Sequence, residues 1–245
     1  MASAPQVMCD VPEWEQCATS DPSACHHLRV VGQGRSILIV EDDRLTLGLL
    51  AETLVQAAFV VGAAATVRDA RRLWSRMEPD AVVLDVDLGG GANGFDLADS
   101  FLLQDPALAI LFLSNLPDAR FAGRNPASLP QQVGYLRKDR LSTPQTLIDA
   151  LDGVLRGIAD ETPRHDLDPD RPMADLSKTQ IDVLRMVALG MTNQQIAVQR
   201  GTSAKAVHNV IARAMAVIGA ESTDEGSARV IAAREFIRAA GLPMP

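Results

Sequence analysis

The chain has 245 residues, 47% of them hydrophobic and 22% charged, which is enough to bury two small cores and excludes a wholly disordered chain. Its longest apolar run, Ala107 to Leu113, is far too short to span a bilayer, and no signal-peptide pattern opens the sequence, so a cytoplasmic protein is expected. The net charge of −8 is uneven: from Ala174 onward 8 Lys+Arg face 6 Asp+Glu, leaving 15 against 25 in the 173 residues before, and two modules with different partners follow.

Residues 1–34 lack apolar periodicity, carry Pro5, Pro12 and Pro22, and read as a disordered leader. All three cysteines, Cys9, Cys17 and Cys25, fall there, so the rest of the chain has no internal disulfide option, which fits a reducing compartment. Cys25-His26-His27 offers metal ligands, but the cysteine spacing matches no usual zinc knuckle, and metal binding there is the weaker reading.

From Ser36 strands alternate with helices. Ile37 to Val40 is a strand buried on both faces, followed by a helix from about Leu45 to Ala58 with Leu47, Leu50, Leu54 and Ala58 on one face. Phe59 to Val61 is a second strand and Val67 to Met77 a second helix. Ala81 to Leu84 is a third strand ending at Asp85, Phe95 to Gln104 a third helix, and Leu108 to Leu113 a fourth strand ending at Ser114. Between Leu116 and Gln132, Gly123, Pro126 and Pro130 predict a fourth helix that is short, broken or replaced by a loop. Val133 to Leu136 is a fifth strand and Thr143 to Gly157 a fifth helix. The alternation implies right-handed crossovers and a doubly wound parallel sheet. Residues 159–173 are acidic, Pro-punctuated and poor in apolar side chains, and read as a linker; beyond them everything reads as helix.

In an open parallel sheet ligands bind outside the carboxyl ends of the strands. Here those ends carry Glu41-Asp42-Asp43, Asp85 and Ser114, and Lys138 follows the fifth strand. Carboxylates converging from neighbouring strands repel one another unless a cation sits between them, and hard oxygen ligands suit Mg²⁺. A hydroxyl and an ammonium beside that ion are what a transferred phosphoryl group needs. Asp43 and Asp96, each taken alone, read as helix-start or solvated acids.

These residues carry a resemblance. Ile37 to Asp43, Asp85 with Gly94 downstream, Ser114, and Tyr135-Leu136-Arg137-Lys138 resemble the receiver domain of bacterial two-component response regulators, over residues 35–158. The resemblance implies a flavodoxin-like α/β fold with Asp85 as phosphoacceptor and Asp42 ligating Mg²⁺, assisted by Glu41. It further implies that the main-chain carbonyl of Asp87 completes the metal site, that Ser114 binds a phosphoryl oxygen and that Lys138 pairs with the charge. Ser114 and Tyr135, the only tyrosine, stand at the family's switch positions. The chain departs from the pattern at Asn115, where a small residue is usual, and at Asp139, where many members have proline, so an ordinary trans peptide is expected there.

In the tail, Leu176 to Gly190 is an amphipathic helix with a glycine cap, Thr192-Asn-Gln-Gln195 is a capping box opening a second helix, and Ser203 caps a third. The third helix sets an apolar stripe (Val207, Val210, Ile211, Ala214, Ile218) against a polar face with Lys205, His208, Asn209 and Arg213. Helix, tight turn and a helix with a basic outer face form a helix-turn-helix, whose polar residues reach phosphates and base edges. Residues 174–245 resemble the LuxR-type DNA-binding domain of NarL/FixJ regulators, most closely from Asn193 to Ala197 and from Ser203 to Val207. A last helix from about Gly226 to Ala240 offers Val230, Ile231, Ala233, Phe236 and Ile237 to a dimer contact or to the core.

The expectation is a transcriptional response regulator, not an enzyme beyond its own phosphorylation and slow dephosphorylation. A sensor histidine kinase phosphorylates it, and it then homodimerises on double-stranded DNA. The alternatives are a phosphate-independent protein-binding receiver and a haloacid-dehalogenase-like phosphohydrolase using Asp85-Val86-Asp87. That enzyme family places its acidic pair on the first strand, whereas here it lies on the third.

Overall fold

The computed structural model describes residues 34–89, 93–130, 133–219 and 225–241. The sequence expectations for the leader, including Cys9, Cys17, Cys25, His26 and His27, fall outside the described residues.

Short runs of β-branched and aliphatic residues build the first layer. The strands β1 (Ser36–Val40), β2 (Val60–Ala64), β3 (Ala81–Asp85), β4 (Ala109–Ser114) and β5 (Gly134–Arg137) pair in parallel in the order β2-β1-β3-β4-β5. Period-two alternation sends Ile37 and Ile39 to one side and Leu38 and Val40 to the other. Four helices, α1 (Arg44–Gln56), α2 (Val67–Met77), α3 (Gly94–Leu102) and α4 (Pro144–Arg156), cover the two faces. One core holds Leu38, Leu84, Phe95, Phe112 and Tyr135; the other holds Ile39, Leu50, Leu54, Leu147 and Leu151.

The chain departs from the sequence expectation in three places. Helix α1 stops at Gln56, because Ala58 takes the left-handed conformation at φ 65° and cannot continue a helix. The turn so made buries Phe59, and β2 begins one residue later, at Val60. The fourth crossover is broken as expected, with two 3₁₀ turns, Ala119–Ala122 and Pro126–Ser128, in place of an α-helix. Gly123 at φ 77° ends the first, and Pro126 brings no N–H to continue it.

The third difference concerns residues 159–173, which do not run free. The Pro163 carbonyl accepts the Tyr135 N–H at 2.7 Å, Arg164 forms a parallel bridge with Tyr135, and His165 Nδ1 accepts the Arg137 N–H at 3.2 Å. The fully buried Asp166 carboxylate takes two hydrogen bonds from Arg164, at 2.8 and 2.9 Å. This stretch thus pairs with the outer edge of β5, which would otherwise present unpaired backbone groups.

The second domain contains α5 (Lys178–Ala188), α6 (Asn193–Arg200), α7 (Ala204–Val217) and α8 (Glu225–Ala240). Reciprocal capping boxes start α5 (Ser177 with Gln180) and α6 (Thr192 with Gln195), and the Ser203 hydroxyl caps α7. Gly201 at φ 62° closes α6 and sets the tight turn. Ile181, Leu184, Ile196, Val207, Ile211 and Phe236 make the core. On α8 the buried positions are Ala232 and Phe236, while Val230 points outward at 69% exposure, so the apolar face is narrower than the sequence implies. Both domains belong to one compact unit.

Candidate functional site

The parallel register sets the ends of β1, β3, β4 and β5 side by side. Val40 pairs with Leu84, Asp85 with Leu113 and Ser114 with Arg137. Glu41, Asp85, Ser114 and Lys138 therefore leave the sheet at one level, each the last strand residue or the one after it. Lys138 Nζ donates to Glu41 Oε2 and to Asp85 Oδ2, both at 2.7 Å. The Asp87 N–H donates to Asp85 Oδ1 at 3.2 Å. Carboxylate oxygens of Glu41, Asp42 and Asp85 all lie within 4.8 Å of one another, with Asp42 exposed and the other two buried.

The electrostatics fit a cation. Burial is the largest influence on Glu41 and pushes its carboxyl up to about 7 despite the Lys138 ammonium beside it. Burial likewise raises Asp85, against the pull of Lys138. Burial also works against the Lys138 ammonium, but the Asp85 and Glu41 carboxylates outweigh it and hold that lysine above its ordinary value. Two buried carboxylates, Glu41 and Asp85, share one ammonium, and the exposed Asp42 carboxylate lies within 4.8 Å of both. A hard divalent ion on these oxygens relieves the repulsion, so the donor set suits Mg²⁺. Gly89, at φ 69°, keeps the opening clear, because a Cβ there would lie 2.7 Å from Asp42 Oδ2.

Around this cluster the expected residues fall into place unevenly. Ser114 is buried, and its Oγ accepts the Leu116 N–H at 3.1 Å. Tyr135 is fully buried, with its hydroxyl donating to the Leu116 carbonyl at 3.1 Å, and burial raises its phenol well above the usual range. Leu116 thus links Ser114 and Tyr135 through one residue's N–H and C=O. The Asp87 carboxylate turns to its own loop and accepts the Gly89 N–H at 3.3 Å, outside the three-carboxylate cluster. Asp43 is the N-cap of α1, accepting the Thr46 N–H at 2.7 Å, and those backbone hydrogen bonds lower its carboxyl.

In the second domain Lys205, His208, Asn209 and Arg213 all lie on the exposed side of α7, opposite the buried Val207, Ile211 and Ala214. The sequence reading missed the residues joining the two domains. Asp118, wholly buried, accepts from Arg120 Nη2 at 2.6 Å and from Arg171 Nε at 2.8 Å. Arg120 also donates to the carbonyls of Met173, Ala174 and Leu176. Phe121 packs on Phe236 with ring centroids 5.4 Å apart. The only sequence signal was the irregular, apolar-containing stretch after β4.

A parallel α/β domain with an acidic, cation-suited pocket at its strand ends, in one unit with a helix-turn-helix, describes a two-domain regulator. Residues 37–147 match the response regulator receiver domain, and residues 174–226 match the bacterial regulatory proteins of the luxR family. The chain belongs to the response regulators of the NarL/FixJ type, DNA-binding transcription regulators that carry these two domains in this order. It is 29% identical over 184 residues to the DNA-binding transcriptional activator DevR/DosR of Mycobacterium tuberculosis, a match covering 66% of this chain and 77% of that protein. It is also 29% identical over 181 residues to the transcriptional regulatory protein DesR of Bacillus subtilis, covering 72% and 86%. The fold is shared with RcsB from Salmonella enterica serovar Typhimurium, solved bound to a promoter, at TM-score 0.54 and 17% identity over 83% of this chain and 98% of that one. Among the described residues no helix is long and apolar enough to cross a membrane.

Proposed function

We propose that Asp85 accepts a phosphoryl group from a histidine kinase or a small phosphodonor, and that the modified front domain raises the affinity of α7 for double-stranded DNA through homodimerisation. The observation that carries this reading is the Lys138 ammonium, 2.7 Å from carboxylate oxygens of both Glu41 and Asp85 at the converging strand ends. An Asp85 carboxylate oxygen attacks phosphorus and forms the new O–P bond. The bond to the donor's imidazole nitrogen or acyl oxygen breaks, and the leaving group keeps the electron pair. Glu41, Asp42 and Asp85, with the Asp87 carbonyl, would hold Mg²⁺, which when bound neutralises charge on the phosphoryl oxygens.

Lys138 already stands where the transferred charge arrives, and the Ser114 hydroxyl is positioned to donate to a phosphoryl oxygen. Ser114 accepts the Leu116 N–H and still has its own proton to give a phosphoryl oxygen, and because Tyr135 holds the Leu116 carbonyl, a movement of Ser114 toward the phosphoryl group is passed to Tyr135 through Leu116. Lys205, His208, Asn209 and Arg213 provide the DNA face.

Incubation with acetyl phosphate and Mg²⁺ tests the acceptor. Intact mass is expected to show one hydroxylamine-sensitive phosphoryl adduct on the wild-type protein and none on Asp85→Asn. An adduct that persists in Asp85→Asn would move the acceptor elsewhere, and DNA affinity indifferent to Asp85→Asn would leave a phosphate-independent regulator.

A further inference from the structure

The docked position of the second domain has a consequence for the first. The space in front of Asp85 is a cavity of about 420 Å³ whose floor includes Asp85, Ser114 and Leu116, and whose opposite wall is the last turn of α8, Arg238 to Gly241. Asp85 keeps only 6% of its surface exposed and Ser114 1%. Meanwhile the polar face of α7 stays open to solvent. The end of α8 therefore lines the acceptor pocket, while the DNA face is uncovered.

The fastening lies beside the cavity. Phe121 pins Phe236 one half-turn before Arg238, and the Asp118–Arg120–Arg171 cluster ties the β4–β5 connection to the turn that feeds α5. Arg238 itself pairs with Glu235 on its own helix, 2.9 Å away and largely in water, a contact that contributes little. The wall is thus held by the cluster behind it and by the ring contact, with no hydrogen bond of its own to the cavity floor among those the described residues show.

We propose that the last turn of α8 is a gate over Asp85, held shut by the Asp118–Arg120–Arg171 clamp, so that access to the carboxylate is set by how firmly the DNA-binding domain is docked. This rests on Asp85 as the acceptor for its biological meaning, but the gate itself is a statement about access. By linkage, whatever holds the DNA-binding domain away from the pocket also speeds phosphorylation.

The full chain is labelled with a water-soluble carbodiimide and glycine ethyl ester, and carbodiimide activation of Asp85, as the ethyl ester amide plus the isopeptide to Lys138 2.7 Å away, is read by peptide mass against the exposed Asp96 as internal reference. This readout needs neither metal nor phosphodonor. Arg171→Ala removes the hydrogen bonds to Asp118 and to the Asp168 carbonyl and is expected to raise Asp85 labelling relative to Asp96 about tenfold, with a larger rise in Arg120→Ala. Arg171 lies at the domain boundary, so its variant decides the matter if Arg120→Ala does not fold by circular dichroism. The acetyl phosphate reaction is followed in the same proteins. Faster labelling and faster adduct formation support the gate. Faster labelling with no adduct in any protein supports the gate and removes Asp85 as acceptor. Unchanged labelling overturns the gate, whether or not an adduct forms.

Discussion

Gly94 shows how tightly the end of β3 is built. A Cβ there would lie 2.0 Å from the Asp85 carbonyl oxygen and 3.0 Å from the Val86 Cα, so only a residue without a side chain lets α3 begin against the strand that carries Asp85. Its N–H also donates to the Val86 carbonyl at 2.8 Å. Gly94→Ala must push backbone against backbone, and overpacking of this kind costs about 1–3 kcal/mol. The expected result is a lower urea midpoint at unchanged m-value, together with slower adduct formation at Asp85. An unaltered midpoint would show that the α3 start moves freely. Gly94 was legible in the sequence as part of a motif, and so were Asp85, Ser114 and Lys138, because each sits at a strand end that periodicity locates. Asp118, Arg120 and Arg171 were not legible. Arg120 finds its carbonyl partners more than fifty residues further along the chain, and no local spacing encodes that pairing.

At the scale of elements, caps and breakers made the helices readable. Thr66, Thr143, Ser177, Thr192 and Ser203 each accept a backbone N–H at a helix start. Gly123 and Pro126 mark where the fourth crossover cannot be helical. What escaped was the role of residues 159–173, whose acidic, Pro-rich composition reads as a tether. A proline can sit at a sheet edge by offering only its carbonyl, as Pro163 does to Tyr135, and composition alone does not distinguish the two. Helix α7 was both legible and specific in its chemistry. Lys205, in its first turn, presents an exposed ammonium where a phosphate contact is expected. Lys205→Ala should weaken binding to specific and non-specific duplexes alike and lower the slope of log K against log salt by about one. A loss confined to one sequence would instead make Lys205 a reader of bases.

For the whole molecule the decisive group is Asp118, which ties the two domains through Arg120 and Arg171. Burial works to raise its carboxyl, but hydrogen bonds from Arg120 and Arg171 outweigh it, and the group is held below its ordinary value. Tyr135, buried nearby, stays neutral and adds no charge to the balance. A carboxyl depressed on folding contributes stability that is fully present above its unfolded value of about 3.9 and is lost as pH falls through the lower folded value. Docking should therefore be insensitive to pH near neutrality and weaken below about pH 4, as Asp118 takes up a proton between the two guanidinium groups. Asp118→Asn removes the charge while keeping the shape, and leaves Arg120 and Arg171 without their counter-ion in a place where breaking a pair costs about 3–5 kcal/mol. Thermal melts from pH 5 down to pH 3 should show the wild type's advantage over Asp118→Asn shrinking below about pH 4 as acid is added. A constant gap across that range would mean that the clamp works by shape and not by charge. The α8 gate would then rest chiefly on the Phe121–Phe236 contact.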